Sequence, residues 1–296
     1  MTHVCRSRTS LLLVVCSLSL PCWTGCETNP ATGESQIAYL SRDEEIRLGE
    51  EAEPQFVDQN GGEVPSDQVL GYVRSLGEKL ADVSERPDLP WEFHVLNSPV
   101  INAFALPGGK VFITRGLLSK MKNEAQVAGV LGHEIGHVTA KHINDRMFQQ
   151  MTLSAAAVGL GVAGEVTDED WLKVLGVGTQ VGGGVFLLKF SRDDESQADE
   201  LGLRYMTALG YNPNAQVQVM QILKEASGDG GGPEFLATHP LPETRIKRLS
   251  DFIAREYPGA DRSEQFRYGE ASFDKNVLKP LGELPPPPQP KQAEGA

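Results

Sequence analysis

The chain has 296 residues, 40% hydrophobic and 23% charged, which is enough apolar material for one large domain or two small ones. The composition excludes collagen, a continuous coiled coil and a wholly disordered chain. A formal net charge of −13 repels phosphate backbones, so nucleic acid is not an expected partner.

Arg6 and Arg8 precede a short apolar run over residues 11–20, so residues 1–25 read as a signal peptide. The run falls short of the roughly 20 apolar residues that a bilayer span needs. It ends in Trp23-Thr24-Gly25-Cys26, which resembles a bacterial lipobox with Cys26 as the lipidated first residue of the mature chain. Ordinary cleavage, or an uncleaved short anchor, is the alternative. Glu27 after the cysteine points to outer-membrane sorting rather than inner-membrane retention. Cys5, Cys16, Cys22 and Cys26 are the only cysteines, so the main body can form neither a disulfide nor a thiolate metal site. A thiol-free body suits an oxidising compartment. The expectation is an exported bacterial protein in the periplasm, attached to the outer membrane through a lipid at Cys26 and not through a transmembrane helix.

Residues 26–40 are turn-rich and read as a tether. Ser41 and Glu44 form a capping-box pattern that opens a helix through residue 55. Gly61-Gly62 breaks the chain. Residues 67–83 are helical, with Val69, Leu70, Val73, Leu76 and Leu80 apolar. Residues 91–96 read as a strand, and residues 102–106 and 110–114 as a hairpin around Pro107-Gly108-Gly109. A strong helix follows over 124–144, its core face marked by Val127, Val130, Leu131, Ile135 and Val138. Two Gly/Ala/Val-rich stretches within 151–188 read either as a buried helical hairpin or as a mobile flap or membrane-dipping element over a cleft. Further helices are expected over 193–209, 214–226 and 242–257, and a proline-rich disordered tail over 276–296. The class is therefore α+β, mostly helical, with one domain over 41–275.

His133-Glu134-Ile135-Gly136-His137 lies inside the strongest helix. Residues four apart lie one turn along and about 40° round, so both imidazoles emerge on one side, opposite the apolar stripe. Two neutral imidazoles so placed can hold Zn²⁺ at ~2.0–2.1 Å. Glu134 is offset from them and can take a proton from a metal-activated water as general base. Chance is a poor explanation, because the chain has only six histidines and two of them fall here.

A catalytic zinc takes three protein ligands and leaves one position open. The residue six after His137 is Ile143, so no third histidine follows at that spacing. The candidate is Glu195, which shares a helix face with Asp199 at i,i+4. One carboxylate can ligate while the other accepts a proton from a ligand imidazole. A solvated acidic first turn, favoured by the helix dipole, is the competing explanation.

HEIGH, the ExxxD pair from Glu195 to Asp199, Asn102-Ala103-Phe104 before the hairpin, and His239-Pro240 with Arg245 together resemble peptidase family 48 of the metallo class, whose members include HtpX and the CAAX prenyl proteases. The likeness is closest to the small bacterial lipoprotein members, whose mature start is similar to residues 26–49. The resemblance implies a gluzincin-type zinc protease with a small sheet whose edge strand faces the active-site helix. It implies one Zn²⁺ per chain on His133, His137 and Glu195, Glu134 as general base, and Asp199 orienting a ligand. Asn102, Ala103 and Phe104 would pair with an extended substrate backbone. His239 and Arg245 would lie near the cleft, where either can stabilise the oxyanion. His239 can instead occupy the open zinc position and switch the enzyme off. The implied function is a zinc-dependent endopeptidase of the cell envelope acting on misfolded or misassembled polypeptides. The rival is a metal-bearing periplasmic chaperone or assembly factor with a gated, weakly proteolytic cleft.

Overall fold

The structure, a computed structural model, describes residues 26–37, 40–159, 180–181, 184–185, 189–227, 234–239 and 243–288. The expected signal peptide and most of the Gly-rich stretch 151–188 lie outside the described residues. Among the described residues no helix is long and apolar enough to cross a membrane.

Strands β1 (Cys26–Thr28) and β2 (Ser35–Ile37) pair antiparallel, where a tether was expected. Their turn is fixed to the body: Asn29, buried, donates through Nδ2 to the carbonyl of Ala140 at 2.7 Å. That carbonyl lies at the end of the helix bearing the histidines, where backbone acceptors lack intrahelical partners. Helix α1 (Arg42–Gln59) opens with the reciprocal Ser41–Glu44 capping box and runs past the expected end, through Pro54. Burial of Phe56 holds that last turn on the sheet. Helix α2 (Asp67–Asp82) is capped by Ser66, which accepts from the Val69 amide.

Strands β3 (Glu92–Leu96), β4 (Ala103–Leu106) and β5 (Lys110–Thr114) form a sheet in the order β3-β5-β4, with β3 parallel and β4 antiparallel to β5. Alternation splits its residues between two faces. Phe93, Val95, Val111 and Ile113 share a core with α2, whereas Leu96, Phe104, Leu106 and Phe112 pack with Phe56 of α1. β4 is an edge strand of this sheet and lies against the next long helix.

Helix α3 (Glu124–Thr139) is capped by Asn123 and is buried on every side from Ala125 to Thr139. The side that bears His133 and His137 is therefore buried as well. α3 also ends earlier than expected, because Lys141 takes a left-handed conformation (φ 57°) and α4 (His142–Gly159) starts in a new direction. Ile143 continues the apolar spacing, and no glycine or asparagine marks this stop. Lys141 is held there by Glu27 (2.6 Å) and Glu45 (3.3 Å).

Helices α5 (Arg192–Ala208), α6 (Asn214–Ala226) and α7 (Glu243–Glu256) complete the body. α5 packs most closely on α3, and glycine permits the approach. A Cβ on Gly202 would meet the backbone nitrogen of His133 at 2.8 Å, closer than side-chain carbons stand. Part of the segment expected as a tail from residue 276 is ordered in helix. Residues 274–283 are helical, Val277 and Leu281 are buried, and Arg115 donates to the carbonyls of Leu281 (2.9 Å) and Pro285 (2.7 Å). The apolar Val277 and Leu281 fill space beside α2, which proline content alone does not reveal.

Candidate metal centre

The close contact of α3 and α5 sets the site. His133 and His137 leave α3 toward α5, whose Ser191 cap, reinforced by Asp194, starts the helix so that Glu195 stands in its first turn. The α-amino end of a helix favours a carboxylate there. His133, His137, Glu195 and His239 each offer one ligating atom, all within 4.8 Å of one another, and all four side chains are buried. His239 follows the short turn Phe235–Thr238 and is walled by Phe235 (ring centroids 4.3 Å) and Phe190 (5.2 Å). Phe190 also stacks on His137 at 3.9 Å.

The hydrogen bonds around the cluster dictate where its lone pairs point. Asp199 accepts from Nδ1 of His133 at 3.1 Å, which leaves Nε2 of His133 without a proton. The side-chain Oε1 of Gln197 accepts from Nε2 of His142 at 2.7 Å, so Nδ1 of His142 is an acceptor facing Nδ1 of His137 at 3.0 Å. His137 therefore donates from Nδ1, and its Nε2 carries a lone pair. Burial pushes both His137 and His142 below the ordinary imidazole range, keeping them neutral. The two bare Nε2 atoms stand 3.1 Å apart, with Glu195 oxygens at 3.6 Å and 3.5 Å. Acceptors facing acceptors repel, and a cation between them removes the repulsion.

Charge balance points the same way. Arg245 forms an ion pair with Glu195 and chelates Asp199 through Nε and Nη2, both at 2.7 Å. One guanidinium does not balance Glu195, Asp199 and Glu134 together, and the remainder is met by a proton on His239 or by a bound cation. Burial raises the Glu195 and Asp199 carboxyls, but His239 and Arg245 at Glu195, and Arg245 at Asp199, outweigh it and hold both below the usual range. Burial raises Glu134, and its Oε1 has no hydrogen-bond partner among the described residues. Burial would lower His239, but Glu195 and Glu134 outweigh it and favour its proton. The donor set, two imidazoles and a carboxylate, is one that suits zinc.

The sequence expectations meet this geometry unevenly. His133, His137, Glu195 and His239 converge, Asp199 stands behind His133, and Glu134 comes within 3.8 Å of His239. Arg245, expected near the cleft, is buried and bound to the carboxylates of Glu195 and Asp199. Ala103 and Phe104 lie on the edge strand, and Asn102 precedes it with Oδ1 buried and unpaired among the described residues. His142 and Gln197 escaped the sequence reading. The helix break at Lys141 removes any periodic relation between His142 and the motif, so no spacing pattern could have found them.

A family model described as Peptidase family M48 matches residues 67–253, which contain every member of the cluster. The chain belongs to peptidase family M48. Among relatives, it is 31% identical over 238 residues to the mitochondrial metalloendopeptidase OMA1 of Schizosaccharomyces pombe, covering 78% of this chain and 67% of that protein. It is 32% identical over 229 residues to the beta-barrel assembly-enhancing protease of Escherichia coli, covering 74% of this chain and 46% of that one. A 33% identity over 190 residues relates it to OMA1 of Arabidopsis thaliana, covering 64% of this chain and 37% of that one. The chain thus spans about half the length of the beta-barrel assembly-enhancing protease that it matches. M48 membership agrees with the α+β, mostly helical architecture and with a buried His-His-Glu metal site.

Proposed function

We propose that this M48 protein is a zinc-dependent endopeptidase of the cell envelope that cleaves misfolded or misassembled proteins. The observation that carries the reading is the buried convergence of two deprotonated imidazole nitrogens and Glu195 beside an unpartnered oxygen of Glu134. His133, His137 and Glu195 would hold the zinc. The bound ion supplies Lewis acidity, lowering the pKa of water toward ~7 and polarising a carbonyl. Glu134 takes the proton of the attacking water and returns it to the leaving nitrogen. Asp199 and the His142–Gln197 pair hold the two imidazoles in the ligating tautomer. β4 offers its edge to an extended polypeptide, so recognition follows backbone shape more than side-chain identity. Export and lipid attachment at Cys26 rest on the sequence pattern, and the mass of the mature amino terminus tests both.

His239 closes the site in this reading. Its Nδ1 stands 2.9 Å from Glu195 and 3.3 Å from Nε2 of His133, among the ligating atoms rather than out where substrate would pass. This position also favours the second reading, a gated assembly factor that rarely cuts. One experiment addresses both. Purified protein is incubated with unfolded casein, with and without a chelator, and with zinc restored. Cleavage is expected to stop on chelation and to return with zinc, and His239→Ala is expected to cleave several-fold faster. Cleavage that persists in chelator overturns the metal mechanism. Absence of cleavage from both the zinc-loaded protein and His239→Ala favours the assembly factor.

A further inference from the structure

A second cluster of ligating side chains lies at the other end of the sheet from β4. Glu53 of α1 and Glu92 and His94 of β3 each offer one atom, all within 4.8 Å of one another. Acidic groups alone would signify nothing here, but the histidine does. Its side chain is 8% exposed, and its Nδ1 stands 2.9 Å from Oε1 of Glu63. A carboxylate only accepts, so Nδ1 carries a proton. The remaining nitrogen, Nε2, is buried and makes no hydrogen bond among the described residues. It is aimed at Oε1 of Glu53 (3.4 Å) and Oε2 of Glu92 (3.9 Å), two further acceptors. Imidazole ligands of metals characteristically donate their other N–H to a carboxylate, as His94 does to Glu63.

Lys110 completes the arrangement without filling it. Its buried ammonium pairs with Oε1 of Glu92 and lies 4.0 Å from Oε2 of Glu53. It therefore holds one oxygen of each carboxylate and leaves the other turned toward His94. Three carboxylates against one lysine leave two negative charges in excess, the charge of one divalent cation. Glu53 and Glu92 are 22% and 49% exposed, so an ion has a path from solvent and room to keep water ligands.

We infer that Glu53, Glu92 and His94 form a second divalent-cation site, separate from the M48 centre, with Glu63 orienting the imidazole. One imidazole with two carboxylates suits Zn²⁺, whereas calcium and magnesium prefer oxygen alone and copper(I) prefers sulfur. The site is tied to the rest of the sheet: the His94 ring stacks on Phe112 (4.8 Å), which stacks on Phe104 of β4 (4.7 Å).

The test counts zinc on the full chain after equilibration at a buffered micromolar free concentration. The wild type is expected to hold two zinc ions. His94→Ala and Glu53→Gln are each expected to hold one and to keep casein cleavage within about twofold. Glu195→Gln is expected to lose the other ion. Glu53 is on the surface of α1, so its variant serves if His94→Ala does not fold. Anomalous scattering from zinc-grown crystals is expected to give a peak at His94. One zinc in the wild type, unchanged in Glu53→Gln and His94→Ala, overturns the inference and leaves His94 only a hydrogen-bonded neighbour of its carboxylates. A count that falls in His94→Ala but not in Glu195→Gln keeps this site and overturns the assignment at the M48 centre.

Discussion

Glu134→Gln is expected to lower kcat/KM on unfolded casein by about 10²–10⁴-fold, the usual contribution of a positioned general base. Zinc content should not change, because Glu134 is not among the converging ligand atoms. The substitution keeps the volume of the side chain and removes only its capacity to accept a proton. Glu134 suits the role through its surroundings. It is 1% exposed, burial raises its carboxyl above the ordinary range, and Oε1 has no partner among the described residues. A carboxylate so desolvated is a stronger base than one in water. Nε2 of His239 stands 3.8 Å from that oxygen, beyond hydrogen-bond reach. Steady-state kinetics beside metal analysis of the same preparation decides the matter. Undiminished turnover in Glu134→Gln would remove the base from the mechanism, and lost zinc would make Glu134 a ligand instead.

Arg245→Ala is expected to destabilise the fold by about 3–5 kcal/mol, the typical cost of leaving a buried ion pair without one partner. The arginine joins α7 to α5, and both its partners, Glu195 and Asp199, are buried. Arg245→Lys should recover little, since an ammonium cannot reproduce the planar fork that chelates Asp199. The midpoint of urea unfolding measures the change. A double-mutant cycle with Asp199→Leu should show coupling of about 0.5–3 kcal/mol, because the second substitution removes the carboxylate that the first exposes to an uncompensated burial. If Arg245→Ala unfolds at the wild-type midpoint while kcat alone falls, the guanidinium acts on substrate, as the oxyanion role expected from the sequence requires.

Much of the local structure was legible because its causes are local. Ser41 with Glu44, and the i,i+4 placement of His133 with His137 and of Glu195 with Asp199, follow from helix geometry and from caps a few residues away. The hairpin around Pro107-Gly108-Gly109 is equally local, and the structure forms it as β4 and β5. The parallel pairing of β3 with β5 was not legible, since no short-range signal names a strand's remote neighbour. The end of α3 was misjudged for a related reason. Lys141 is kept left-handed by Glu27 and Glu45, which reach it from β1 and α1.

Residue types and spacing alone declared a pair of imidazoles on one helix, two carboxylates on another and a thiol-free acidic body, since these depend on composition and on a few adjacent turns. Tertiary structure decided which of them meet. The close approach of α5 to α3 at Gly202 carries Glu195 to the imidazoles. The same packing encloses α3 on all sides and withdraws the motif from water, which helix spacing does not specify. Arg245 pairs with Glu195 and Asp199 for the same reason: once these carboxylates are withdrawn from water, their charge has to be met by nearby cationic groups. Burial and long-range approach are properties of the whole packed body, and they determine the chemistry open to each side chain.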